Sequence, residues 1–126
     1  MYSHMMVGSN DIERSKKFYD ALFLAMGGRE GSIDPKGRLF YLHNGSAFAV
    51  TKPIDGEPAT HGNGCTIGFE MTAEQADAWH AAGVANGGTT CEDPPGVRGD
   101  GSPGSMYLAY LRDPDGNKLC ALHRIG

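Results

Sequence analysis

Five histidines, His4, His43, His61, His80 and His123, and three cysteines, Cys65, Cys91 and Cys120, are the side chains of this sequence best suited to hold a metal or to act as base and nucleophile. Their spacing argues against a compact local site. A zinc knuckle brings thiolates in close pairs, and no Cys-x-x-Cys occurs here. An odd number of widely spaced cysteines writes no disulfide framework either, so all three read as reduced thiols behaving as small hydrophobes. The glycine-rich stretch Gly96 to Gly104 sits between prolines rather than between a strand and a capped helix, which removes the phosphate-loop and dinucleotide readings. No hydrolase triad pattern is present.

The elements that would position these residues follow a repeated order. His4 to Ser9 is an apolar run of strand length, and Asn10-Asp11-Ile12-Glu13 after it predicts a capping box with Asn10 as N-cap. Ile12, Tyr19, Leu22, Phe23 and Met26 then recur at helical spacing until Gly27-Gly28. Strand-like stretches follow around Arg29 to Ile33, Arg38 to His43 and Ala47 to Lys52, divided by Asp34-Pro35-Lys36-Gly37 and Asn44-Gly45. Pro53 to Gly64 reads as a linker.

The order then restarts. Cys65 to Met71 is strand-like, Thr72-Ala73-Glu74-Gln75 is a second capping box, and Ala76, Trp79 and Gly83 share a helical face that ends at Gly87-Gly88. Extended segments follow around Thr89 to Glu92, Met106 to Arg112 and Lys118 to His123, with Asp113-Pro114-Asp115-Gly116 as the tight turn between the last two. Asp93 to Gly104, with three prolines and four glycines, is expected to be a long irregular loop. His80, one residue past Trp79, is expected to be solvated.

Bulk composition narrows the function. A chain of 126 residues with 40% hydrophobic and 21% charged residues suits one globular domain. A net charge of -4 without a basic block gives no surface for neutralising phosphates, which argues against nucleic acid. No run of about 18 apolar residues predicts a membrane span, and the first residues lack the pattern of a signal peptide. The expectation is a cytoplasmic protein.

Laying Val7 on the Ile67 to Phe69 strand and Gly27-Gly28 on Gly87-Gly88 superposes strand, capping box, helix and double glycine, so the chain is an internal duplication. With that duplication, three segments make the chain resemble the vicinal oxygen chelate superfamily of glyoxalases, bleomycin-resistance proteins and extradiol dioxygenases. They are His4 to Val7 with Asp11-Ile12-Glu13-Arg14-Ser15-Lys16-Lys17-Phe18-Tyr19, then Gly62 to Phe69, and Asp113-Pro114-Asp115-Gly116-Asn117-Lys118-Leu119. The resemblance spans residues 2 to 124. It implies an α+β fold of two βαβββ modules, about 1–54 and 62–126, whose curved half-barrel sheets surround a central cavity. It leaves a homodimer open.

In enzymes of that superfamily a divalent metal is held by one side chain from the first and last strand of each module. The resemblance carries those positions to His4, Ala49, Thr66 and Cys120. Only His4 is an ordinary ligand type: Ala49 offers no lone pair, Thr66 a neutral hydroxyl, and Cys120 a thiol where a carboxylate would stand. No metal or other cofactor is therefore expected. A displaced divalent metal site using His43, His61 or His123 is the lesser alternative.

Strand alternation extends the expected ligand pocket to His4, Met6, Ala49, Thr66, Gly68, Cys120 and Leu122, with Tyr2 and Lys118 on the same faces. Tyr107 and Tyr110 cannot both face it. Such a wall suits an uncharged or partly aromatic small molecule. The leading expectation is a binding protein that sequesters a small organic ligand. A glyoxalase-like lyase or isomerase, acting through a displaced metal or through His4 and Cys120, is the alternative, and a dimerisation unit is the third.

Overall fold

The structure, a computed structural model, describes residues 1–126. The first module runs β1 (His4–Gly8), α1 (Ile12–Ala25), β2 (Ser32–Ile33), β3 (Leu39–His43) and β4 (Ser46–Thr51). The second runs β5 (Ile67–Glu70), α2 (Ala73–Ala85), β6 (Thr89–Thr90), β7 (Gly96–Arg98), β8 (Met106–Arg112) and β9 (Lys118–Arg124). Each module makes one open sheet with the same plan. The first has the order β1-β4-β3-β2 and the second β5-β9-β8-β6, with β7 also paired to β8. In both, the first strand is parallel to the last and the remaining pairs are antiparallel. This is the expected α+β duplication, and neither sheet closes into a barrel.

Both helices stop in the same way. Gly27 and Gly87 take φ of 83° and 100°, and the following glycine's N–H bonds back to Phe23 at 2.7 Å and to Gly83 at 2.8 Å. That left-handed closure is open to glycine at no steric cost. The starts differ. Thr72 and Gln75 exchange both bonds of the expected capping box on α2. On α1 the N-cap is Asp11, which accepts from the Arg14 N–H at 3.0 Å, and not Asn10. Asn10 is diverted by tertiary partners, because its amide exchanges hydrogen bonds with the backbone of Ala59. The 93–104 segment also departs from expectation: three of its residues form β7, drawn into the sheet by the edge of β8.

The helices pack against each other, and one buried cluster draws on both modules: Phe18, Tyr19, Leu22 and Phe23 from α1, Ala76 and Trp79 from α2, and the helix-facing residues of both sheets. Leu39, Tyr41, Phe48 and Val50 supply the first sheet's share; Ala109, Leu111, Leu119 and Ala121 supply the second's. Because strand residues alternate, His4, Met6, Phe40 and Leu42 lie on the first sheet's other face, as do Tyr110, Cys120 and Leu122 on the second's. These outer faces are turned away from the shared core, and Leu42 is 78% exposed. No helix is long and apolar enough to cross a membrane.

Candidate functional site

At one end of the molecule the modules are fastened by the turn between β8 and β9. Asp113, only 4% exposed, accepts hydrogen bonds from the Tyr19 hydroxyl at 2.5 Å, the Asn117 amide at 2.8 Å, and the backbone N–H groups of Asp115 and Asn117 at 2.9 Å. Asn117 also donates to the Gly8 carbonyl, and Asp115 receives the Asn10 N–H and the Arg14 guanidinium. Burial, and then the Asp113 carboxylate, push the Tyr19 phenol well above its usual pKa, so Tyr19 remains the donor. Charged, buried bonds therefore cross between modules here.

The opposite end is held by apolar contact and left open. Phe69 of β5 meets Phe23 and Phe48 edge-on, with ring centroids 5.8 and 5.4 Å apart, and one cross-module bond runs from Gln75 to the Met26 carbonyl. Beside this contact lies a cavity of about 690 Å³ between β1 and β5, the first strands of the two modules. Phe23 and Met26 of α1, Tyr41 and Phe48 of the first sheet, and Ile67 and Phe69 of β5 form its apolar, aromatic side, the first four at most 5% exposed, while His4, His43, Asn44, Ser46 and Glu70 make the rest of the wall polar. The size and lining are those of a small-molecule site.

Of the residues read from the sequence as pocket or as sharing its faces, Tyr2, His4 and Gly68 line this cavity. Met6 and Ala49 are register partners on the outer face of the first sheet. Cys120 pairs with Gly68, and Leu122 with Glu70, on the second. Thr66 precedes β5 and is exposed. Sequence reasoning missed Phe23, Tyr41, Phe48 and Phe69, whose helical and strand periodicity reads as core. They are core, but their cavity-facing edges are set by how the two modules meet.

The four positions that correspond to the superfamily's metal ligands do not fit a divalent ion. They present one imidazole and a methyl group on the first sheet, a buried thiol on the second, and an exposed hydroxyl just before β5. No three His, Cys, Asp or Glu side chains come together elsewhere as a donor set. His61 packs against Gly116 in the clasping turn, and His43 lies edge-on to Phe23. His80, expected in solvent, shares a hydrogen bond with the Thr90 hydroxyl at 2.9 Å.

A His4–Cys120 base and nucleophile pair is not formed either. The His4 ring bonds Ser3, and the Cys120 thiol donates to the Ala121 carbonyl. Burial pushes the Cys120 thiol up, against the pull of Tyr110, Lys118 and Arg98. It is therefore protonated at neutral pH and a poor nucleophile. In the folded protein, iodoacetamide is expected to label exposed Cys65 well before Cys120, and Cys120 labelling should accelerate only above the pH range of an ordinary thiol. Peptide mass spectrometry over a pH series reads both, and prompt labelling of Cys120 at pH 7 would contradict the assignment.

Tyr107 and Tyr110 divide as alternation requires. Tyr107 bonds Asp77 of α2, whereas Tyr110 lies on the outer face opposite Cys120, with Lys118 Nζ 5.1 Å from its ring centroid.

Comparison with known proteins bears on this geometry. The family described as Glyoxalase/Bleomycin resistance protein/Dioxygenase superfamily matches residues 2–121. No curated protein gives a significant match. The crystal structure of a glyoxalase/bleomycin resistance protein from Albidiferax ferrireducens T118 is 61% identical, with 98% of each chain covered and a TM-score of 0.91. A glyoxalase-related enzyme from Fulvimarina pelagi is 20% identical over 98% of this chain and 88% of its own, with a TM-score of 0.71. The fosfomycin resistance protein FosX from Listeria monocytogenes, complexed with Mn(II) and sulfate, is 18% identical over 98% and 90%, also with a TM-score of 0.71. The last two show a common fold.

Proposed function

Because the chain belongs to the glyoxalase/bleomycin resistance protein/dioxygenase superfamily, we propose that it is a binding member of that group, which sequesters a small, largely aromatic organic molecule in the cytoplasm without a metal. The observation that carries this reading is the aromatic cavity between β1 and β5, together with a donor set too poor to grip a divalent ion. Three unpaired thiols fit a reducing compartment. The reading favours binding over turnover because the imidazole and thiol available for chemistry are not joined.

Thermal unfolding with indole, 1-naphthol and phenol, each with and without EDTA, tests it. A ligand at a hundred times its Kd stabilises by about 2.7 kcal/mol, a readily measured rise in Tm. At least one of the three is expected to give such a rise, unchanged by EDTA. Stabilisation by none of them, or only after a divalent metal is added, overturns the reading.

A second copy of the chain is the partner we propose. Exposed Leu42 and Met6 on the outer face of the first sheet, and the unpaired edges of β1 and β5, support pairing. Light scattering on the eluted protein should give twice the chain mass of 13.4 kDa.

A further inference from the structure

The aromatic cavity does not end at Phe69. A polar cleft adjoins it, sharing Met26, His43, Asn44 and Glu70 with it and adding Gln75, His123 and Arg124. Across both linings, Glu70 and Arg124 are the only Asp, Glu, Lys or Arg side chains. They have opposite charge and lie toward the same cleft, yet no ion pair joins them and neither side chain is hydrogen-bonded within the protein. Lys17, Arg29, Lys36 and Lys52 are likewise without an ion pair, so it is the shared cleft, and not the missing partner, that singles out Glu70 and Arg124. The other polar groups of the cleft are largely engaged: Gln75 donates to Met26 and accepts from Thr72, and the Asn44 amide bonds His43.

We propose that the joined cleft takes an aromatic zwitterion, a molecule with an aromatic body and neighbouring ammonium and carboxylate groups, as in an aromatic α-amino acid. This rests on the ligand role of the aromatic cavity and names the class of its occupant. The ring sits against Phe23, Phe48 and Phe69, the ammonium meets Glu70, and the carboxylate meets Arg124, whose planar fork suits a carboxylate. A ligand with one charge of each sign leaves neither Glu70 nor Arg124 unmatched. A simple anion would meet Glu70 without compensation, and a simple cation would meet Arg124.

Calorimetric titration with L-phenylalanine, 2-phenylethylamine, 3-phenylpropanoate and indole tests the assignment on the full chain. L-phenylalanine is expected to bind at least tenfold more tightly than either singly charged analogue. Glu70→Gln should erase its advantage over 3-phenylpropanoate, and Arg124→Gln its advantage over 2-phenylethylamine. Both side chains are exposed, so both variants should keep the parent Tm. Equal affinity for the three charged probes, or variants that leave the ratios unchanged, overturns the zwitterion assignment. If indole still binds in that case, the aromatic cavity stands and only its occupant was misassigned. If indole also fails, both readings fall.

Discussion

Asp113→Ala is expected to cost on the order of 3–5 kcal/mol, enough to lower Tm by about 10–20 °C in a domain of this size. The Asp113 carboxylate is buried and accepts four hydrogen bonds, two from side chains and two from backbone. Truncation leaves the Tyr19 hydroxyl, the Asn117 amide and two backbone N–H groups with no acceptor in a region closed to water. Each orphaned buried donor costs about 1–3 kcal/mol before relaxation. Because Tyr19 is on α1 and Asp113 follows β8, the loss also unfastens one module from the other. Tyr19→Phe removes a single donor and keeps the ring contacts with Phe18 and Phe48, so a loss of about 1–2 kcal/mol is expected. Calorimetric unfolding of the two variants checks the order. An Asp113→Ala protein within a few degrees of the parent would mean that the turn does not fasten the modules.

That clasp shows what the sequence could and could not convey. Asp113-Pro114-Asp115-Gly116 is legible as a tight turn because its residues satisfy local backbone demands. Its second task, reaching Tyr19, Gly8 and Arg14 about a hundred positions away, has no local signature. The same limit explains the α1 cap. Asn10 and Asp11 are both competent caps by residue type, and the choice falls to a loop at Ala59 that occupies Asn10. Where partners are near in sequence, as in the Thr72–Gln75 box or the double glycines after each helix, type and spacing suffice. The duplicated plan was legible for that reason.

The site was less so. Alternation assigns His4, Met6, Ala49, Gly68, Cys120 and Leu122 to common faces correctly within each sheet, but it carries no information on where a face points. Packing supplies that: α1 and α2 fill the space between the sheets, so these faces turn outward and the cavity opens at the seam. Phe48 and Phe69 sit at that seam, and their sequence context cannot distinguish a ring wholly in core from one with an edge on a cavity. Glu70 and Arg124 carry no motif at all. Their interest arises only once both are seen to line one cleft without pairing.

Gly68→Phe is expected to abolish ligand binding, with a loss of at least a hundredfold, while leaving the fold intact. Gly68 lies in β5 on the wall of the aromatic cavity, and a Cβ built there would meet no atom within 4 Å. Its φ is not in the left-handed range, so the backbone tolerates a side chain. Phenylalanine also has a higher strand propensity than glycine, which sets any intrinsic change in the stabilising direction. The added ring projects on the face of β5 that Gly68 shares with Cys120, at the mouth of the cavity that Gly68 lines, and narrows the entrance the ligand needs. Blocking it removes access to the apolar surface that would be buried on binding, at roughly 25 cal/mol per Å². The decisive pair of measurements is Tm without ligand and the indole-induced rise in Tm. The first should match the parent and the second should vanish. A Gly68→Phe protein that still responds to indole like the parent would mean that the ligand does not use the open space beside Gly68.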